Sequence, residues 1–185
     1  MTDSDLKQFA ERIKDFKSLY LAGGIQNRVR ADGWRQDLCK FFEKNGRKTN
    51  NPCADNELIF NSAIMGYKDD GTSNSLEELQ DLDEMKEAVL LKQTEENDLY
   101  FISNSDLIIF YLDDSAGFGT YTEFRENFNV FKKPIIIVRT ISRKKLPHWI
   151  KWRRYRALIL DKTAIEFRTL TEVKEFFKKY FNFTE

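Results

Sequence analysis

Two apolar runs, Leu107–Leu112 (LIIFYL) and Pro134–Val138 (PIIIV), constrain this chain most. Neither contains a charged residue. A strand that is apolar at every position has both faces covered, whereas a strand with one wet face alternates. Between the two runs, Tyr121, Phe124, Phe128 and Phe131 recur at helical spacing. A strand, a helix and a second strand in that order form a crossover, which places the two strands parallel.

The rest of the chain extends this unit. Strands are expected at Lys17–Gly23, Lys48–Pro52 and Ala157–Leu160. Helices are expected at Asp3–Phe16, with Leu6, Phe9, Ile13 and Phe16 on one side, and at Thr171–Tyr180. Another helix is expected over Asp32–Asn45, with Asp32 as its N-cap, Trp34, Leu38, Phe41 and Phe42 as its apolar side and Gly46 beyond its end. A longer one runs from about Leu76 to Asn104 with an acidic first half. Cys53–Ser75 has no clear period, and Asp69–Ser75 is a polar loop that can lie over a pocket. Alternating strands and helices make an α/β three-layer sandwich, Rossmann-like or flavodoxin-like, with a mostly parallel sheet of about five strands. No repeat or linker divides it, so residues 1–185 are read as one domain.

Thirty basic and thirty acidic residues cancel, so no global field points to nucleic acid or a membrane. No apolar run reaches spanning length, and MTDSDLKQFAERIK lacks an apolar signal region, so a cytoplasmic protein is expected. Cys39 and Cys53 make neither a disulfide framework nor a metal spacing, and Cys39 fits the apolar side of its helix. The single histidine, His148, excludes a His-rich metal site.

Open parallel sheets take ligands at the carboxyl ends of their strands. Two such ends are rich in small residues: Ala22-Gly23-Gly24, and Ser115 to Thr120, which includes Gly117 and Gly119. GGIQNR lacks the third glycine of a dinucleotide fingerprint, and GFGT lacks the lysine of a phosphate loop. Glu123 shares a helical stripe with Thr120 and Asn127, beginning at the ligand end. An ionised carboxylate beside a glycine-lined cavity can attack a sugar's anomeric carbon. Asp98 lies about six residues before its helix ends, roughly 9 Å back toward the carboxyl ends of the strands. On position alone each also reads as a solvated helix carboxylate.

In order along the chain, YLAGGI (Tyr20–Ile25), GWRQDL (Gly33–Leu38), Asn51-Pro52, NDLYFISNSDLIIFYLD (Asn97–Asp113) and GFGTYTEF followed by KKPIIIV resemble the nucleoside 2-deoxyribosyltransferase-like family, which includes nucleoside 5′-monophosphate N-glycosidases. The similarity covers roughly Tyr20 to Val138, apart from Cys53–Glu96. It implies Glu123 as the nucleophile and Asp98 as the substrate-binding aspartate that handles the base. Tyr20, Gly23, Gly24 and Ile25 would line the sugar, with no metal or cofactor. Arg28 and Arg30 stand where the monophosphate-cleaving branch has basic residues. Three positions depart from the pattern. Gly117 replaces a polar residue, so that contact is lost or passes to Ser115 or Asp114. Arg125 and Asn127 replace small ones.

The resemblance implies hydrolysis of an N-glycosidic bond, or transfer of the sugar to a second base, and a homodimer. A glycosidase acting on a dinucleotide or nucleotide-derived signal, and a non-catalytic nucleotide-binding module, are alternatives. A basic aromatic segment, Arg143-Lys144-Lys145 with Lys151 to Arg156, fits nucleic acid less well than pairing with the acidic helix.

Overall fold

The all-apolar runs form the middle of the sheet. In the computed structural model, which describes residues 2–24, 28–52, 84–114 and 116–185, β3 (Leu107–Leu112) pairs in parallel with β4 (Ile135–Arg139), Ile108 opposite Ile135. At 28–32, 84–91, 93, 94 and 118 only the backbone is described. β1 (Ser18–Gly23) joins the other side of β3, with β2 (Lys48–Asn50) outside it and β5 (Ala164–Phe167) beyond β4. The order is β2-β1-β3-β4-β5, all parallel.

Strand alternation sends odd and even positions into two cores. Leu19, Leu21, Leu107, Ile109, Ile136, Val138, Ile165 and Phe167 face α1 (Asp3–Arg12), α2 (Arg28–Lys44) and α6 (Leu170–Phe181). Tyr20, Ala22, Ile108, Phe110, Leu112, Ile135, Ile137 and Ala164 face α3 (Glu84–Ser103), α4 (Phe118–Glu126) and α5 (His148–Tyr155). The first core is phenylalanine-rich. Phe16, Phe42, Phe177, Phe181 and Phe183 interlock through tilted, edge and stacked contacts. Cys39 packs against it, half-buried, as expected of the helix's apolar side.

Three expectations differ. Ala157–Leu160 is not a strand. It continues α5 as a π-helical turn closed by the Asp161 N–H on the Arg156 carbonyl at 2.9 Å. Ile159 and Leu160 stand in solvent there, and the fifth strand comes four residues later. That strand, AIEF, contains the charged Glu166 and so does not read as an apolar run. Asp32 is not an N-cap, because α2 begins at Arg28. The helix runs through Gly33, around which an added Cβ would meet nothing. α1 stops at Arg12, but a turn from Ile13 to Phe16 still delivers Phe16 to the core. The long acidic helix is described from Glu84 onward, and Cys53–Ser75 and Leu76–Asp83 lie outside the described residues. Among the described residues no helix is long and apolar enough to cross a membrane.

Candidate active site

β1 and α4 meet at one point. The Tyr20 hydroxyl donates to Glu123 Oε1 at 2.5 Å, and both side chains are buried. Tyr20 is there because even positions of β1 face the α3–α4 layer. Glu123 is there because the inward stripe of α4 is partly polar. Thr120, Glu123, Phe124 and Asn127 are buried at i, i+3, i+4 and i+7, whereas Tyr121, Phe128 and Phe131 are only half-buried. Asn127 settles its polar atoms locally, donating to the Lys133 carbonyl at 3.1 Å and accepting from its N–H at 3.2 Å. Arg125, the other departure on this helix, turns outward to Glu126 at 2.6 Å.

Glu123 is 8% exposed. Burial, and then the negative charge of Asp98, push its carboxyl up to about 8, against the pull of the Tyr20 hydrogen bond and the Arg35 charge. Burial also lifts the Tyr20 phenol well above its ordinary value, with the Glu123 and Asp98 charges adding to it and Arg35 opposing. Asp98, from α3, is half-buried and its charge is felt by both groups. Phe101, one turn further along α3, lies parallel to the Tyr20 ring at 6.4 Å. The structure therefore brings together Tyr20, Asp98 and Glu123, three of the residues expected from the sequence.

Arg35 was not among them. It is fully buried on α2, and its guanidinium donates to the carbonyls of Leu21 at 3.2 Å, Gly23 at 2.7 Å and Gly24 at 3.5 Å. Those carbonyls terminate β1, the strand that carries Tyr20. Beside it, Trp34 stacks on Tyr111 at 4.8 Å and lies under the Arg35 guanidinium at 4.5 Å. Gly23 makes room for that stack, since a Cβ there would stand 2.8 Å from the Trp34 ring. The one signal in the sequence was an arginine directly after the first apolar residue of the helix's inner side, and arginines in helices are usually solvated.

The other expected residues are dispersed. Gly24 is buried after β1. Gly117 precedes α4 with an extended backbone, and Gly119 is exposed in its first turn with open space around it. Asp114 is exposed and pairs with Lys145 at 2.6 Å. Arg28 and Arg30 open α2 by their backbone, and Ile25 and Ser115 lie outside the described residues. The described ion pairs of the basic aromatic segment run to Asp114, Glu166 and Asp161, from Lys145, Arg154 and Arg156. The acidic half of the long helix, its expected partner, has no described side chains. Among the described residues no His, Cys, Asp and Glu side chains gather as metal ligands.

A five-stranded parallel sheet in this order, with a carboxylate pair and a tyrosine beside β1, defines an open α/β sandwich of the Rossmann-like, flavodoxin-like class. Two solved structures share that fold over most of their length. One is the CMP N-glycosidase BcmB of Clostridium botulinum, at TM-score 0.52 and 16% identity, covering 89% of this chain and 99% of that one. The other is the 2-deoxyribosyltransferase of Bacillus psychrosaccharolyticus, at TM-score 0.52 and 14% identity, covering 85% and 90%. No sequence-family description matches the chain. No curated protein matches it either.

Proposed function

We propose that this chain is an enzyme that cleaves the N-glycosidic bond of a nucleoside or nucleoside 5′-monophosphate, with Glu123 as nucleophile. One observation carries the reading: Tyr20 and Glu123 share a short buried hydrogen bond beside the Asp98 charge. Glu123 attacks C1′ as the C1′–N bond breaks, and the bonding electron pair leaves with the base. Asp98 holds the base and gives or relays a proton to its nitrogen. The glycosyl ester on Glu123 is then opened at C1′ by water, which is hydrolysis, or by a second base, which is transfer. The C1′–O bond breaks to free the Glu123 carboxylate, and the proton lost by the attacking group returns to Asp98. Tyr20 donates to the carboxylate and orients it for attack, and donates to it again when the ester opens. Arg28 and Arg30 are the candidates for a 5′-phosphate, which an arginine pair grips through several N–H donors.

The likeness to a CMP N-glycosidase makes cytidine 5′-monophosphate the first compound to test. The assay is release of free base from nucleosides, their monophosphates and dinucleotides, with added second base to detect transfer. Wild type should release base and Glu123→Gln should not. A folded Glu123→Gln protein with unchanged base release would sink the glycosidase reading. A second reading, a nucleotide-binding module without turnover, is favoured by the neutral form that burial imposes on Glu123 at pH 7. It predicts ligand binding by both proteins and base release by neither. A cytoplasmic homodimer completes the proposal.

A further inference from the structure

Arg35 is the largest fully buried side chain described, yet the chemistry above makes no use of it. A guanidinium leaves water only at considerable cost unless its donors are satisfied and its charge is answered. Here its donors reach successive carbonyls at the end of β1, and its face lies on Trp34. This places a fixed cation, carried by one layer of helices, at the strand end whose other face presents Tyr20 to Glu123.

We propose that Arg35 is a positioning residue of the site: by gripping the carbonyls of Leu21, Gly23 and Gly24 it fixes the end of β1, holds the Tyr20–Glu123 hydrogen bond in register and sets a fixed positive charge behind that pair. This rests on the reading of Glu123 as nucleophile, but its physical content does not depend on turnover. Among the described residues, the charged and titratable groups that act on Glu123 are Tyr20 from β1, Asp98 from α3 and Arg35 from α2. Asp98 and burial favour the neutral acid, while Tyr20 and Arg35 favour the anion. Among the described residues Arg35 is the one cation acting on Glu123, so its removal leaves the Tyr20 hydrogen bond alone against burial and the Asp98 charge. Lysine keeps the charge, but its compact ammonium lacks the planar donor set that spans several carbonyls. Glutamine keeps donors and loses the charge.

The test uses Arg35→Gln and Arg35→Lys in the full chain, with folding checked by circular dichroism. Infrared difference spectroscopy follows the protonated carboxyl band of Glu123, assigned by its loss in Glu123→Gln, as the pH is raised without any substrate. Arg35→Gln should move the midpoint of that band upward, leaving roughly tenfold less carboxylate at pH 7. Arg35→Lys should return the midpoint most of the way to wild type. With cytidine 5′-monophosphate as probe, base release by Arg35→Gln should fall roughly tenfold at pH 7 and recover at higher pH. A folded Arg35→Gln protein with the wild-type midpoint overturns the proposal, as does loss of folding in both variants, which would assign Arg35 to the fold alone. If no compound yields free base, the nucleophile reading fails while the band midpoint still decides the role of Arg35.

Discussion

Glu123 is held where its ionised form is disfavoured, and two consequences have definite signs. Its folded carboxyl keeps a proton up to about pH 8, whereas the unfolded chain releases it near the ordinary 4.5. The associated stability is therefore fully present below about 4.5 and is lost as the pH rises through 8. Glu123→Gln escapes that loss, so its melting temperature should climb relative to wild type between about pH 5 and about pH 9. The same substitution should lower base release by roughly a thousandfold. For wild type, the release rate should rise with pH until the carboxyl is ionised, which a rate profile across that range checks. Tyr20→Phe removes the donor that favours the anion, so the rising limb should move to higher pH and the rate at pH 7 fall roughly tenfold. At this scale the grouping of Tyr20, Asp98 and Glu123 was legible, because residue type and motif agreed there, while the roles of the three belong to the proposal. Arg35 was not legible, because only tertiary contact distinguishes a buried arginine from a solvated one.

Among the elements, the misplaced fifth strand is instructive. Ala157–Leu160 is apolar and short, which a strand and the end of a helix share. The real strand carries Glu166, which turns toward the α5 layer and is gripped by two arginines. Arg139, 3% exposed at the end of β4, reaches it at 2.9 Å and also donates to the Ile141 carbonyl at 2.5 Å. Arg154 of α5 holds it from the other side. Burial raises the Glu166 carboxyl, but hydrogen bonds and charge from Arg154 and Arg139 together draw it below its ordinary value. Its contribution is thus present above the ordinary carboxylate range and lost as the pH falls below that range through the lowered folded value. Glu166→Ala leaves two arginines without their common partner and should cost about 3 kcal/mol, seen as a lower denaturant midpoint at neutral pH that converges with wild type in acid. A pattern of apolar letters cannot reveal such a strand, since its buried charge is made tolerable by residues 12 and 27 positions away.

Across the whole molecule, the fold followed from the two central strands, because a sheet apolar on both faces needs a helical layer on each side. What the letters did not reveal was how the layers divide the labour. One layer is a phenylalanine core closed by the chain's last residues, with Phe183 stacked on Phe177 at 5.5 Å. Phe183→Ala should lower stability by about 3 kcal/mol in a denaturant titration, although it is far from the carboxylates in sequence. The other layer leaves Val130, Trp152, Tyr155, Ile159 and Leu160 exposed. Aromatic and aliphatic surface of that kind is what associating faces present. Sedimentation at micromolar concentration should find a dimer, and Trp152→Glu should return it to monomers, whereas a wild-type monomer would remove the homodimer from the proposal.

Gly23 and Trp34 have an optical consequence. Trp34 is buried, stacked on Tyr111 and covered by Arg35, while Trp149 and Trp152 are 37% and 54% exposed. The chain therefore contains one shielded indole and two wet ones, and the shielded one adjoins the end of the strand that carries Tyr20. Its short-wavelength emission is a built-in gauge of that strand end. Any ligand or substitution that loosens the end of β1 will redden the spectrum before the fold itself gives way.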